Sequence, residues 1–188
     1  MSRFIVSHII ELINILYVYI GDAILPKQPV VLKLPRLKEL IVIGNCPLFH
    51  LVQAAPSLYY LDVTLDYLKI LLDDEQVCAL LQQRITRLNI GDWLNTEVDR
   101  LQRTSQVFCN IRQLVIELGD SKTEMDSTII AAVANWYDKQ LKWLDIAGSL
   151  SDSAKDNLRQ WVLDYTSLVA SDLFTVDYDG QFFVLWKD

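Results

Sequence analysis

One six-residue pattern recurs along this chain and constrains its fold more than any other feature. It reads apolar, two variable residues, Leu, one variable residue, then a β-branched residue. The clearest copy is Leu37-Lys38-Glu39-Leu40-Ile41-Val42, continuing through Ile43 and Gly44 to Asn45. The others begin at Leu58, Ile85, Ile111 and Leu141, and a weaker one runs from Ile9 to Asn14. The central leucines are Leu12, Leu40, Leu61, Leu88, Leu114 and Leu144, separated by 28, 21, 27, 26 and 30 residues. The Leu and the β-branched residue are two apart, so in a strand they share one face. One strand cannot bury that face alone. Stacking successive copies in parallel gives a continuous core, and parallel strands need a crossover between them.

The segments between copies have helical signatures. Asp73-Asp74-Glu75 places acids at a helix start, followed by the apolar stripe Val77, Leu80 and Leu81. Val98, Leu101, Ser105 and Phe108 have helical spacing. Ser121-Lys122-Thr123-Glu124 matches a capping box ahead of Ile129, Ile130, Val133, Ala134 and Tyr137. Leu158, Trp161, Val162 and Tyr165 repeat the spacing, and Pro47 to Ala55 predicts a shorter helical turn ended by Pro56. Beyond these, Leu173 to Trp186 alternates around Asp179-Gly180, a hairpin signal. There Phe174, Val176 and Tyr178 are expected to share a face with Phe183 and Leu185.

The spacing overlaps the period of roughly 20–29 residues typical of leucine-rich repeats. The expected fold is therefore α/β: a short, irregular leucine-rich-repeat solenoid, with a parallel sheet, helical connectors and a C-terminal β-hairpin cap. It is read as one domain over 1–188, with a weak first repeat in 1–33, repeats in 34–170 and the capping hairpin in 171–188.

Hexamers spaced by connectors of unequal length resemble the leucine-rich-repeat regions of F-box proteins. The resemblance runs from Leu34 to Trp186 and includes Trp161, Asp164 and Tyr165 ahead of the aromatic hairpin. It implies recognition of a protein substrate for a ubiquitin ligase. An F-box itself, a helical module with Leu-Pro openings, is not matched by any residue, so ligase docking is carried over to none. The expectation is the recognition half alone, as a piece of a longer protein or a shortened relative.

Composition narrows the function classes. The net charge of -7 opposes broad phosphate contact, so no nucleic-acid partner is expected. Three cysteines, Cys46, Cys78 and Cys109, are odd in number and far apart, pointing to buried free thiols and an intracellular setting. The apolar stretch from Phe4 to Leu25 is interrupted by His8, Glu11, Asn14 and Asp22 and is read as a strand and connector, not a membrane span. Cys46 and His50 have no second pair at metal spacing, so no metal and no cofactor are expected. Asn45 suits the turn out of its strand. No phosphate loop, nucleophile elbow or His-Glu-x-x-His motif occurs, so no catalytic residue is assigned and the chain is not read as an enzyme.

The variable positions of the hexamers alternate with the buried ones and line one open face. The candidate partner-binding residues there are Glu39, Tyr60, Asp62, Arg87, Asn89, Gln113, Trp143 and Asp145, within a wider set that adds Ile41, Thr64, Val115 and Glu117. Tyr60, Arg87 and Trp143 are of the types that dominate interface hot spots. The expected partner is a protein. The alternative is an assembly role, through self-association at the N-terminal end, where Ile5, Ile9 and Ile13 lack a cover.

Overall fold

In the computed structural model, which describes residues 15–20, 33–44, 48–120, 122–137 and 139–187, the hexamer leucines Leu40, Leu61, Leu88, Leu114 and Leu144 lie side by side. The parallel strands are β1 (Ile15–Ile20), β2 (Glu39–Gly44), β3 (Tyr60–Thr64), β4 (Arg87–Trp93), β5 (Gln113–Leu118) and β6 (Trp143–Ala147). All six pair in parallel and in chain order. Leu16, Leu40, Leu61, Leu88, Leu114 and Leu144 are successive Cα partners. The row ends at Leu185 on β8 (Phe182–Lys187), which joins β6 antiparallel, while β7 (Phe174–Tyr178) forms the edge. The protein is α/β, and the described residues form an open eight-stranded sheet.

The pairing corrects the first copy. Leu16 stands opposite Leu40, whereas Leu12 and the Ile9–Asn14 hexamer lie outside the described residues. From β2 to β6 the leading apolar residues Leu37, Leu58, Ile85, Ile111 and Leu141 are buried, as are the central leucines. The closing residues Val42, Val63, Ile90, Ile116 and Ile146 complete the core.

A regular backbone relay joins the copies. The Lys38 carbonyl accepts from the N–H groups of Tyr59 and Tyr60; the Tyr59 carbonyl accepts from Thr86 and Arg87. Thr86 accepts from Arg112 and Gln113 in the same way, and Arg112 from Lys142 and Trp143. Each acceptor is the second residue of its hexamer, a spacing the sequence sets without any side chain being involved.

Connectors run along the buried side. They are α1 (Leu48–Ala54), α2 (Leu65–Leu72), α3 (Glu75–Arg84), α4 (Arg100–Val107), α5 (Asp126–Trp136), α6 (Asp152–Asp156) and α7 (Leu158–Tyr165). Asp74 caps α3, its carboxylate accepting from the Gln76 and Val77 N–H groups, as the acidic run predicts. Three expectations are corrected. Helix α2, absent from the sequence reading, starts directly after β3 because the Thr64 hydroxyl accepts from the Tyr67 N–H; Thr64 ends the strand in step with Tyr60 and Asp62 and caps the helix at once. Helix α5 begins at Asp126, after the expected capping box: Ser121 lies outside the described residues and Glu124 bridges to Ser149 instead. Its buried stripe takes Ala132 and Trp136, while Ala134 is exposed. Tyr165 is also exposed, at 59%, so the α7 stripe is Trp161 and Val162.

Cations from three connectors tie down the helix end of an earlier one. Arg84 donates to the Val52 and Ala55 carbonyls, Arg103 to Leu72, and Lys139 to Ser105. The Trp136 indole N–H donates to the Phe108 carbonyl, buried between layers. Helix C-termini leave carbonyls without intrahelical partners, and a charged donor there is both a hydrogen bond and a favourable pole for the helix dipole.

The hairpin forms as the alternation predicts. Tyr178 pairs with Phe183 and Val176 with Leu185, and Phe174, Phe183 and Leu185 are buried. In the turn, the Asp179 carboxylate accepts from the Gln181 and Phe182 N–H groups, and Gly180 sits at φ 103, a left-handed backbone that favours glycine. The edge strand β7 is guarded. Arg159 donates to the Phe174 carbonyl at 2.7 Å and lies 4.2 Å over its ring, while the Asp177 carboxylate accepts from the Tyr178 N–H.

Candidate partner-binding face

Helices cover one side of the sheet, and the alternate positions of the strands form its other side. The strand register sorts the candidate residues into two rows. Glu39, Tyr60, Arg87, Gln113 and Trp143 are successive cross-strand partners, and the row extends to Trp186 and Thr175. Asp62, Asn89, Val115 and Asp145 form the second row, which starts at Ile41 and runs on to Val184 and Asp177. The structure thus brings all eight sequence-selected residues onto one surface. Most are half-buried by their neighbours, and Trp143 is the most open of the eight, at 39% exposed.

The side chains are organised against one another. The Tyr59 hydroxyl donates to the Glu39 carboxylate at 3.0 Å, and that bond, with burial and the Glu39 charge, raises the Tyr59 pKa. The Arg87 guanidinium carbon lies 4.8 Å above the Tyr60 ring, a cation–π contact. The Tyr60 hydroxyl donates to Asp62 at 3.1 Å; burial, then the Asp62 charge, pushes this phenol up to about 12. The Asn89 amide donates to Asp62 at 3.1 Å and to Glu117 at 3.3 Å, bridging carboxylates on the two flanking strands. Trp143 and Trp186 stack with centroids 5.7 Å apart and planes 18° from parallel.

Three polar atoms in these rows are buried with no hydrogen-bond partner among the described residues: Arg87 Nε, Asn89 Oδ1 and Asp145 Oδ1. Desolvation is the main cause that raises the Asp145 pKa, and the charges of Glu117 and Asp179 add to it. Among the described residues, the ion pairs involve Lys69, Arg100, Arg103 and Lys155, none of which pairs with a carboxylate of these rows.

Sequence reasoning missed Trp186, Tyr59 and Asp177 as members of this surface. The hairpin alternation held the signal for Trp186: with Phe183 and Leu185 facing the core, Val184 and Trp186 face the open side.

The other chemistry-bearing groups form no comparable arrangement. Cys46 and Asn45 lie outside the described residues, and His50 is exposed. No group of three or more His, Cys, Asp or Glu among the described residues is placed to hold a metal ion. Cys78 and Cys109 are free and half-buried, not fully buried as expected. Cys78 lines a cleft of about 340 Å³ between α3 and α4, where burial and then the Asp74 charge raise its pKa. No helix among the described residues is long and apolar enough to cross a membrane. No family model, curated protein or solved structure matches the chain.

Proposed function

We propose that this chain is an intracellular leucine-rich-repeat interaction module, a short solenoid whose open sheet face holds a protein partner. The role resembles substrate recognition by the repeat region of F-box proteins in ubiquitin ligases. The observation that carries this reading is the surface built by the two rows. It presents a stacked Trp pair and an Arg–Tyr pair on a rigid sheet, with three buried polar atoms that lack partners among the described residues. Aromatic and Arg side chains are the usual anchors of interfaces, and unpaired buried polar atoms cost free energy that a partner's hydrogen bonds offset. Residues on a rigid sheet also lose little entropy on binding.

Affinity capture from cell extract tests it, with the wild-type chain beside a Tyr60/Arg87/Trp143 triple alanine variant. The expected result is loss of specific partners in the variant at unchanged circular dichroism. An unchanged partner set sinks the proposed face.

A second reading, assembly through the other end of the sheet, is favoured by one observation. Among the described residues β1 pairs only with β2, and Ile15 is 47% exposed. A monomer by light scattering at micromolar concentration counts against it.

A further inference from the structure

The open rows carry a lopsided charge. Among the described residues the two rows, with Glu117 one position beyond the second, hold the carboxylates of Glu39, Asp62, Glu117, Asp145 and Asp177 against one cation, Arg87, while the exposed Lys38, Arg112 and Lys142 flank the first row at the position of Tyr59. Arg87 lies over the Tyr60 ring, so its charge is directed to the first row. The second row and the positions beyond it have no cation of their own. Asn89 supplies one neutral amide between Asp62 and Glu117, which shares two hydrogen bonds but neutralises neither charge. Asp145 lacks even that: its buried Oδ1 has no partner among the described residues, and Glu117 and Asp179 add like charge to its surroundings. Beside it, two positions back on β6, the Trp143–Trp186 stack is available to the aliphatic stem or the charged head of a long side chain.

We infer that the occupant of this face is a cationic, extended protein segment, laid across the strands with Lys or Arg side chains against Asp62, Glu117 and Asp145. This occupant presupposes that the face is a docking surface. A path from Asp62 to Asp177 crosses five interstrand steps, β3 to β7 through β4, β5, β6 and β8. At about 4.8 Å each that is roughly 24 Å, the reach of about seven extended residues. Alternate residues of such a segment point the same way roughly 7 Å apart, so it delivers several cations to carboxylates on separate strands. Phosphate-bearing partners are repelled by the same charges. No group of three or more His, Cys, Asp or Glu among the described residues is placed to hold a metal ion there.

The test is fluorescence anisotropy on the full chain with two labelled ten-residue peptides, one with Lys at alternate positions and one with Glu in their place. The expected result is that the Lys peptide binds, weakens steeply with added salt, and loses at least about tenfold in affinity to an Asp62→Asn/Glu117→Gln/Asp145→Asn variant. Trp143→Ala weakens it as well. If the Lys peptide binds the charge variant as well as wild type, or the Glu peptide binds equally, the charge assignment is overturned. If neither peptide binds, the cationic occupant is overturned too. The docking face itself falls only if partner capture also ignores the Tyr60/Arg87/Trp143 substitutions.

Discussion

Trp143 and Trp186 are direct cross-strand partners, and their rings stack at 5.7 Å on the open side of the sheet. The contact joins the last parallel strand to the hairpin, so it is at once a candidate anchor and a fastening of the antiparallel end. Aromatic pairs of this geometry are worth about 0.5–1.5 kcal/mol beyond burial. A double-mutant cycle with Trp143→Ala and Trp186→Ala, followed by urea unfolding, should return a coupling energy in that range. Additive losses would show that the rings do not interact in solution.

Asp145 predicts a conflict between stability and function. Its pKa in the folded chain is raised, chiefly by burial. The native state therefore holds this proton at a pH where the unfolded chain has lost it. Stability from this group is greatest below the unfolded value and falls as pH rises through the raised one. Asp145→Asn should unfold a few degrees higher than wild type at neutral pH, and the gap should close as pH falls toward 4. The same variant should bind a cationic segment more weakly. Thermal melts across pH check the first part; a gap that widens on acidification would refute it.

The leucine row and the cation ties should differ in weight. Leu88 is fully buried between Leu61 and Leu114, and Leu88→Ala should cost about 2–5 kcal/mol. Arg84→Met keeps the aliphatic stem but removes the donor to Val52 and Ala55, and should cost about 1–2 kcal/mol. Chemical denaturation of both variants makes the comparison, and a larger loss for Arg84→Met would reverse the ranking.

Gly148 leaves space that its neighbours have already taken. A Cβ there would stand 3.2 Å from Leu118 Cδ1 and 3.3 Å from both Met125 Cβ and the Thr123 carbonyl oxygen. Gly148→Ala should cost about 1–3 kcal/mol through overpacking. Gly91, where nothing lies within 4 Å of the added carbon, is the matched control in a melting experiment.

Arg159 should protect solubility more than stability. It covers the Phe174 carbonyl on the edge strand. Arg159→Ala opens that edge to another chain, so light scattering during incubation at elevated concentration should rise faster than for wild type. Equal aggregation would leave Asp177 as sufficient guard.

The parallel strands were legible from five hexamers because their apolar spacing reports burial directly, and the hairpin because Asp179-Gly180 allows the turn its backbone requires. The weak first copy misled: the stretch from Ile9 through Ile20 is apolar except at Glu11 and Asn14, and such a run fits several registers, so only pairing with β2 selects Leu16. Helix α2 was hidden because Thr64 continues the strand alternation while its hydroxyl already caps the helix. At the start of α5, Ser121 to Glu124 looks like a capping box, but Glu124 is taken by Ser149 in the next layer, a contact no local window contains. The open face was legible as rows, since period two sorts the residues. The unpaired Asp145 oxygen and the Asn89 bridge were not, because both depend on which strands become neighbours.

The cation ties give the stack a direction. Arg84, Arg103 and Lys139 each reach back along the chain by roughly one copy, while each helix end waits for a donor made later. During synthesis from the N-terminus the donor for each of these three helix ends is made after the end it serves, so losing a later connector would remove the tie on an earlier helix.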